Sequence, residues 1–400
     1  MKSILLIMPY GSVGGMERLA INFYNYYKNN GYTVKAIKII KLESDIINFG
    51  EDELFLSNID FCEMSFTKRF LFYLKIPFMI RKIIKQNKTS HSIAFGDMAN
   101  IFSSLTFTKE YKIASIHALK SVEFVNKSFL NTIFKLGFKT SYINFDKVVC
   151  ISTAIKVDLI KNCGFRFKEK LKVIYNPHDI LGIANLSKIA LESNEENDIF
   201  DKKTILFLGR LCIQKAPWHL IKAFSLLHKK SNSYNLVLIG DGDVNVLNYI
   251  NQLIEELQIK ENVFLLGRKS NPYQYLSNAS VLALSSYYEG TPNVIVEAIA
   301  CEIPIVSSNC TDGIIELMSS KQLQKNGDLL ITESGIITPN FFKDNLSIPE
   351  NKKFIEEETQ FSNALEMVLS DDNYKKQLIL NKNSLLEKFE MKKIAEEYLQ

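Results

Sequence analysis

Two glutamates eight residues apart, Glu289 and Glu297, lie in the stretch SSYYEGTPNVIVEAIA. The apolar run 281–284 reads as a strand and 285–290 as its turn. Thr291-Pro292 reads as a helix start, because Thr caps helices well and Pro suits the first helical position. Such a helix end presents unpaired backbone N–H groups and a partial positive charge, a setting for phosphate. Carboxylates on either side suit sugar or ribose hydroxyls, since a vicinal diol can donate two charge-assisted hydrogen bonds to one carboxylate. The ordinary alternative is a turn cap at Glu289 and a solvated helix position at Glu297.

The stretch LFLGRLCIQKAPWHL puts Arg210 and Lys215 in a loop after a strand ending at Gly209. Two cations on one sheet rim can neutralise a diphosphate, and Arg can hold it bidentately. Taken singly they read as surface cations. Gly11, Gly14 and Gly15 make a first turn where backbone can approach a ligand, without the Gly-x-Gly-x-x-Gly dinucleotide fingerprint. His117 follows a strand in KIASIHALKS, either a cleft-facing or a structural histidine. Asp241-x-Asp243 has a spacing that can hold a divalent metal, but turn and N-cap roles explain both residues. No metal and no cofactor is expected.

These residues must be positioned by alternating strands and helices. Strands are expected at 3–8, 32–40, 92–94, 112–116, 147–151 and 173–175, then at 204–209, 236–239, 263–266, 281–284 and 305–307. Lone strands separated by helical stretches indicate β-α-β units and parallel sheets. Residues 179–203 lose periodicity and read as a polar linker. The expected organisation is a domain over 1–178, a second over 204–383, and a helical C-terminus whose residues 384–400 cross back to the first. Ligands of open parallel sheets bind beyond the carboxyl ends of the strands, so the expected site is the cleft between the domains.

The 400-residue chain, 46% apolar and 23% charged, has the composition of a soluble globular protein. Its six cysteines lack metal-ligand spacing and are expected reduced, which suggests the cytoplasm. The N-terminal apolar run is too short for a signal peptide or a spanning helix. The net charge of +4 divides into +12 over residues 1–178 and −8 over the rest, and no acidic residue occurs from Met64 to Gly96. A polyanion or anionic surface is therefore expected to face the first half only. From Lys68 to Lys88 seven cations mix with aromatic and aliphatic residues, which suits a peripheral helix on an anionic bilayer. The alternative is a core-packing helix with a basic solvated face, and Pro77 is expected to break any long helix there.

Together these stretches resemble the retaining glycosyltransferases of family 4. Gly209-Arg210-Leu211 with Lys215-Ala216 is similar to the family's Gly-Arg-Leu and Lys-Gly, and Glu289 through Glu297 to its Glu-x7-Glu. Gly14-Gly15-Met16-Glu17-Arg18 is similar to its N-terminal Gly-Gly and Glu-Arg, and IGDGD and FLLGR look like further landmarks. The resemblance spans nearly the whole chain and is strongest over 204–313. It implies an α/β GT-B fold, two Rossmann-like doubly wound parallel-sheet domains facing across a cleft. It implies that Arg210 and Lys215 hold the donor diphosphate, Glu297 the nucleotide ribose and Glu289 the donor-sugar hydroxyls. Gly290, Thr291, Pro292, Asn293 and Val294 would assist through backbone N–H groups, with Gly267-Arg268 near the base. His117 would reach the donor sugar from the N-terminal domain, and Gly14 and Gly15 would let backbone approach the sugar or phosphates. Three places depart from the pattern: Ala216 and Glu302 stand where glycine is usual, and NCTDGIIEL (309–317) follows the family's Gly-Pro-x-Glu-Ile only loosely.

The implied reaction moves a hexose or N-acetylhexosamine from a nucleotide-diphosphate sugar, UDP favoured, with retention and without metal. The acceptor would be a glycan or polyprenyl-linked glycan of cell-surface polysaccharide assembly, met peripherally at the cytoplasmic face of the inner membrane. Alternatives are a GT-B sugar-nucleotide epimerase or phosphorylase, or a non-catalytic two-domain binding protein. The missing fingerprint speaks against a nicotinamide-dependent dehydrogenase, and no nucleic-acid recognition motif occurs.

Overall fold

A computed structural model describes residues 2–11, 15–125, 129–321, 323, 325–326, 328–343, 345–350 and 353–400. It divides into two units, Met1–His178 with Phe389–Gln400, and Asp179–Lys388.

The first unit contains β1 (Ser3–Met8), β2 (Thr33–Ile40), β3 (Glu53–Ser57), β4 (His91–Phe95), β5 (Tyr111–Ile116), β6 (Lys147–Cys150) and β7 (Leu171–Val173). Their order is β3-β2-β1-β4-β5-β6-β7, and every pair is parallel. Runs such as SILLIM form central strands because both faces are covered. Ile4, Leu6 and Met8 pack with Phe23 and Tyr27 of the helix Gly15–Asn29. Leu5 and Ile7 pack with Ile76, Ile80 and Ile84 of the helix Phe66–Gln86 on the other side. Strand β3, absent from the sequence reading, is an edge strand with no run of buried residues to mark it.

The helix Phe66–Gln86 runs unbroken through Pro77, contrary to the expected break. Pro77 is buried beside Ile76, and this packing against the sheet offsets the lost backbone hydrogen bond. The chain returns to this unit at Phe389. There the helix Met391–Tyr398 places Tyr398 4.7 Å from the Phe23 ring, and Ala395 O accepts from Tyr27 Oη at 2.8 Å.

The second unit contains β8 (Lys203–Leu208), β9 (Tyr234–Ile239), β10 (Val263–Gly267), β11 (Val281–Leu284), β12 (Ile305–Ser308), β13 (Lys325–Asn326), β14 (Leu329–Thr332) and β15 (Gly335–Thr338). Their order is β10-β9-β8-β11-β12-β15-β14-β13. It is parallel as far as β15, and an antiparallel hairpin edge follows. Residues 179–203, read from sequence as a linker, carry the helices Ile180–Leu186 and Asn194–Phe200. Their polarity hides an anchor: Glu196 is buried and binds Lys269 Nζ at 2.7 Å and Tyr275 Oη at 2.8 Å.

Two of the three departures from the family pattern have one backbone cause. Ala216 and Glu302 both adopt left-handed conformations, with φ of +42° and +62°. Glycine occupies such positions without strain, whereas other residues bear about 1–2 kcal/mol. Glu302 directly follows the C-cap of the helix Asn293–Ala300, a usual glycine position, and its carboxylate makes a partly exposed 3.0 Å ion pair with Lys382. Glu302→Gly is therefore expected to raise the second unit's calorimetric midpoint by about 2–4 °C. A fall would show that the Lys382 pair outweighs the strain.

Candidate active site

In the second sheet the winding reverses between β8 and β11, the place where open α/β sheets bind ligands. The loops leaving these two strands carry Arg210 with Lys215, and Glu289. Backbone contact holds the first loop in place. Leu211 N donates to Asp241 O at 2.8 Å, and Asp243 N donates to Leu211 O at 3.0 Å. A Cβ on Gly240 would meet Gly209 O at 2.0 Å, and one on Gly242 would meet Leu211 O at 2.0 Å. The IGDGD glycines are thus required by the packing that sets Arg210. Asp243 caps the helix Val244–Glu256, its Oδ1 accepting from Asn245 N at 2.8 Å. Arg210 itself is exposed.

Lys215 and Glu289 meet. Lys215 Nζ lies 2.5 Å from Glu289 Oε1, which also accepts from Ser286 Oγ at 2.8 Å. Both Glu289 and Glu297 are buried, so Glu297 is not the solvated helix position of the ordinary reading. Ser285 Oγ donates to Lys215 O and Ala216 O at 3.0 and 3.1 Å, and Tyr287 N donates to Gln214 O at 2.8 Å. These bonds staple one loop to the other.

The helix after β11 begins one or two residues later than expected. It spans Asn293–Ala300, with Pro292 as an extended N-cap that supplies no side-chain hydrogen bond. Proline has no polar side chain to cap with, and ψ near +106° keeps it outside the helix. Glu297 sits on the second turn, its Oε1 accepting from Tyr273 Oη at 3.4 Å. Gly267 ends β10, where its carbonyl accepts from Gly240 N at 2.8 Å, and the exposed Arg268 follows.

Beneath the staple lies a buried polar chain that the sequence reading missed. Trp218 Nε1 donates to Tyr287 Oη at 3.3 Å, and Tyr287 Oη lies 3.0 Å from His219 Nε2. His219 Nδ1 is 2.7 Å from the fully buried Glu358, which Lys222 Nζ approaches at 3.3 Å. With Trp218 donating, the Tyr287 proton goes to Nε2, and Nδ1–H donates to the carboxylate. His219 and Tyr287 flank Lys215 and Glu289 in sequence, but Glu358 lies so far along the chain that no local spacing could reveal it.

His117 and Gly15 belong to the first unit, and Gly14 lies outside the described residues. His117 follows β5. The residue is half-buried, yet its Nε2 is sealed from solvent and unpartnered, and burial, with Lys120 nearby, pushes its pKa down to about 3. Lys120 is buried between Asp97 Oδ2 at 2.8 Å and Glu123 Oε2 at 2.6 Å. Among the described residues no group of three or more His, Cys, Asp or Glu could hold a metal ion. None of their helices is long and apolar enough to cross a membrane.

Residues 190–334 match the family model described as glycosyl transferases group 1. An uncharacterized glycosyltransferase of Methanocaldococcus jannaschii is 27% identical over 336 residues, 81% of this chain and 82% of that one. The GalNAc-alpha-(1->4)-GalNAc-alpha-(1->3)-diNAcBac-PP-undecaprenol alpha-1,4-N-acetyl-D-galactosaminyltransferase of Campylobacter jejuni is 27% identical over 368 residues, 89% of each chain. Among solved structures, Anabaena HepE in complex with UDP and glucose superposes with a TM-score of 0.73 at 17% identity, over 99% of this chain and 98% of that one.

Two measurements probe the polar chain and the buried histidines His219 and, in the first unit, His178. Tyr287→Phe leaves Trp218 Nε1 and His219 Nε2 without their shared partner, and is expected to destabilise the second unit by about 1–3 kcal/mol in urea unfolding. An unchanged midpoint would show the hydroxyl to be dispensable. Burial also holds His219 below its ordinary pKa of 6.5 and His178 at about 4. Neutral buried imidazoles stabilise a fold above their unfolded pKa and lose that contribution as pH falls through the folded value. Thermal midpoints are expected to fall from pH 6.5 towards pH 4, less steeply in His178→Gln.

Proposed function

We propose that the chain, a glycosyltransferase of GT-B fold whose residues 190–334 match the group 1 glycosyl transferases, is a retaining, metal-independent hexosyltransferase. In this reading it moves a hexose or N-acetylhexosamine from a UDP-sugar to a glycan or polyprenyl-linked glycan in cell-surface glycan assembly. The observation that carries the reading is the pairing of the half-buried Lys215 with the buried Glu289 at the β8/β11 reversal, with the exposed Arg210 in the loop of Lys215.

The charge that must be stabilised develops on the departing diphosphate. Arg210 binds it bidentately, Lys215 adds a point charge, and the first turn of the helix Asn293–Ala300 adds its positive end. Glu289, aimed by Lys215 and Ser286, accepts hydrogen bonds from donor-sugar hydroxyls, and Glu297 accepts them from the ribose. Thr291, Pro292, Asn293 and Val294 line the phosphate end, Gly267 and Arg268 the base. The same reading gives His117, Gly14 and Gly15 donor-side roles. The anomeric carbon–oxygen bond breaks, the acceptor oxygen bonds to the same face, and its proton passes to the leaving phosphate oxygen. A lipid-linked acceptor is supported by the undecaprenol-linked substrate named for the Campylobacter relative. It would bring the protein to the cytoplasmic face of the inner membrane as a peripheral enzyme.

The test is calorimetric titration with UDP-, GDP- and ADP-sugars, followed by transfer to a polyprenyl-diphosphate-linked glycan with the product anomer read by NMR. Arg210→Ala is expected to weaken UDP binding about tenfold or more, the loss of a charge-assisted hydrogen bond. Glu289→Ala is expected to lower turnover at least tenfold with UDP affinity little changed. Near-normal turnover of Glu289→Ala overturns the assignment. An epimerised nucleotide sugar without transfer would move the chain to the epimerase class.

A further inference from the structure

The helix Phe66–Gln86 shows a face that the catalytic reading does not use. Its inner side is fixed: Ile76, Pro77, Ile80 and Ile84 are buried, and the three isoleucines pack with Leu5, Ile7, Ile37 and Ile39 of the sheet. The helix therefore cannot roll to hide what lies opposite. There Leu71, Leu74 and Phe78 are 55%, 54% and 72% exposed, and their i, i+3, i+7 spacing makes one stripe. Phe70 and Phe66, 53% and 81% exposed, add apolar surface at the helix start. Beside it Lys68, Lys75 and Lys82 recur every seven residues as a parallel row, all exposed and without ion pairs among the described residues. On the same side of the sheet the helix Phe129–Lys139 exposes Leu136.

We infer that this face lies in the surface of an anionic lipid bilayer, with Leu71, Leu74 and Phe78 inserted at the acyl boundary. Lys68, Lys75 and Lys82 would meet the lipid phosphates. An apolar row flanked by a lysine row is the pattern of a helix lying in the interface, where lysine stems follow the apolar surface and their ammonium groups reach the headgroups. A second copy does not fit: two such faces would oppose cation to cation, with no acidic residue between Met64 and Gly96 to compensate. The choice of lipid over an acidic protein rests on the lipid-linked acceptor proposed above. It goes further in naming the face of that helix, and the side chains on it, that make the membrane contact.

The experiment is flotation of the full chain with vesicles of phosphatidylcholine alone and with a third phosphatidylglycerol, alongside UDP-sugar titration. The wild type is expected to float with the anionic vesicles only. Leu74→Glu/Phe78→Glu is expected to lower partitioning at least tenfold at unchanged ionic strength. Lys68→Gln/Lys75→Gln/Lys82→Gln is expected to lower it about a hundredfold, at roughly fivefold per charge near the surface. All five side chains are exposed, so thermal midpoints and UDP-sugar affinity should stay as in the wild type. A Phe78→Trp variant should shift its emission to the blue on adding anionic vesicles. Wild-type partitioning in the Leu74→Glu/Phe78→Glu protein, or no Trp shift, overturns the proposal, as does a wild type that fails to float. Vesicle binding without UDP-sugar binding would remove the proposed function and leave the docking face standing, and the reverse result would do the opposite.

Discussion

Lys215 and Glu289 hold a partly buried ammonium against a buried carboxylate at the carboxyl ends of two neighbouring strands. Each would be costly there without its partner, since taking an unpaired charge out of water costs several kcal/mol. Much of the surrounding structure keeps the two together. Ser286 satisfies the carboxylate, Ser285 holds the backbone behind the lysine, and Tyr287 is tied to Gln214. Below them, Trp218, Tyr287, His219 and Glu358 form a polar chain that rigidifies because each link has a partner. The two loops are thus held in one arrangement by paired groups on both sides of the Lys215–Glu289 contact.

The fold class was legible in the sequence, as was the shared sheet rim of the Arg210–Lys215 and Glu289 stretches, because both depend on short-range pattern. Continuous apolar runs marked the central strands, and turn glycines marked their ends. Glu289 with Glu297 and Arg210 with Lys215 stood out because each pair lies within one loop and its flanks. What stayed hidden was of two kinds. Strands β3, β13 and β14 lie at or beside sheet edges, where burial is partial and the apolar run fails, and the buried β15 is only four residues long. Glu358, Glu196 and the inner face of the Pro77 helix act through partners distant in sequence, and a charged or helix-breaking residue carries no local sign that tertiary packing will accommodate it.

The departures from the family pattern gained meaning only with the backbone in view. A missing glycine in a sequence suggests an altered pocket. The dihedral angles of Ala216 and Glu302 show instead that the chain keeps the left-handed conformation and tolerates the strain. Both flank the machinery, one between Lys215 and its helix, the other beyond the helix that carries Glu297. The backbone path is therefore retained even where the residue is not.

The helix Met391–Tyr398 has a bearing on how the molecule is made. Ile394, Ala395 and Tyr398 complete the hydrophobic core around Phe23 and Tyr27, and Lys147 Nζ donates to Glu397 O at 2.7 Å. On the ribosome the first 178 residues therefore emerge with part of their core missing, and wait for the whole second unit before that core can close. The second unit, continuous from Asp179 to Lys388, has no such wait. Of the two units, the one that comes first along the chain is thus the last whose core can close.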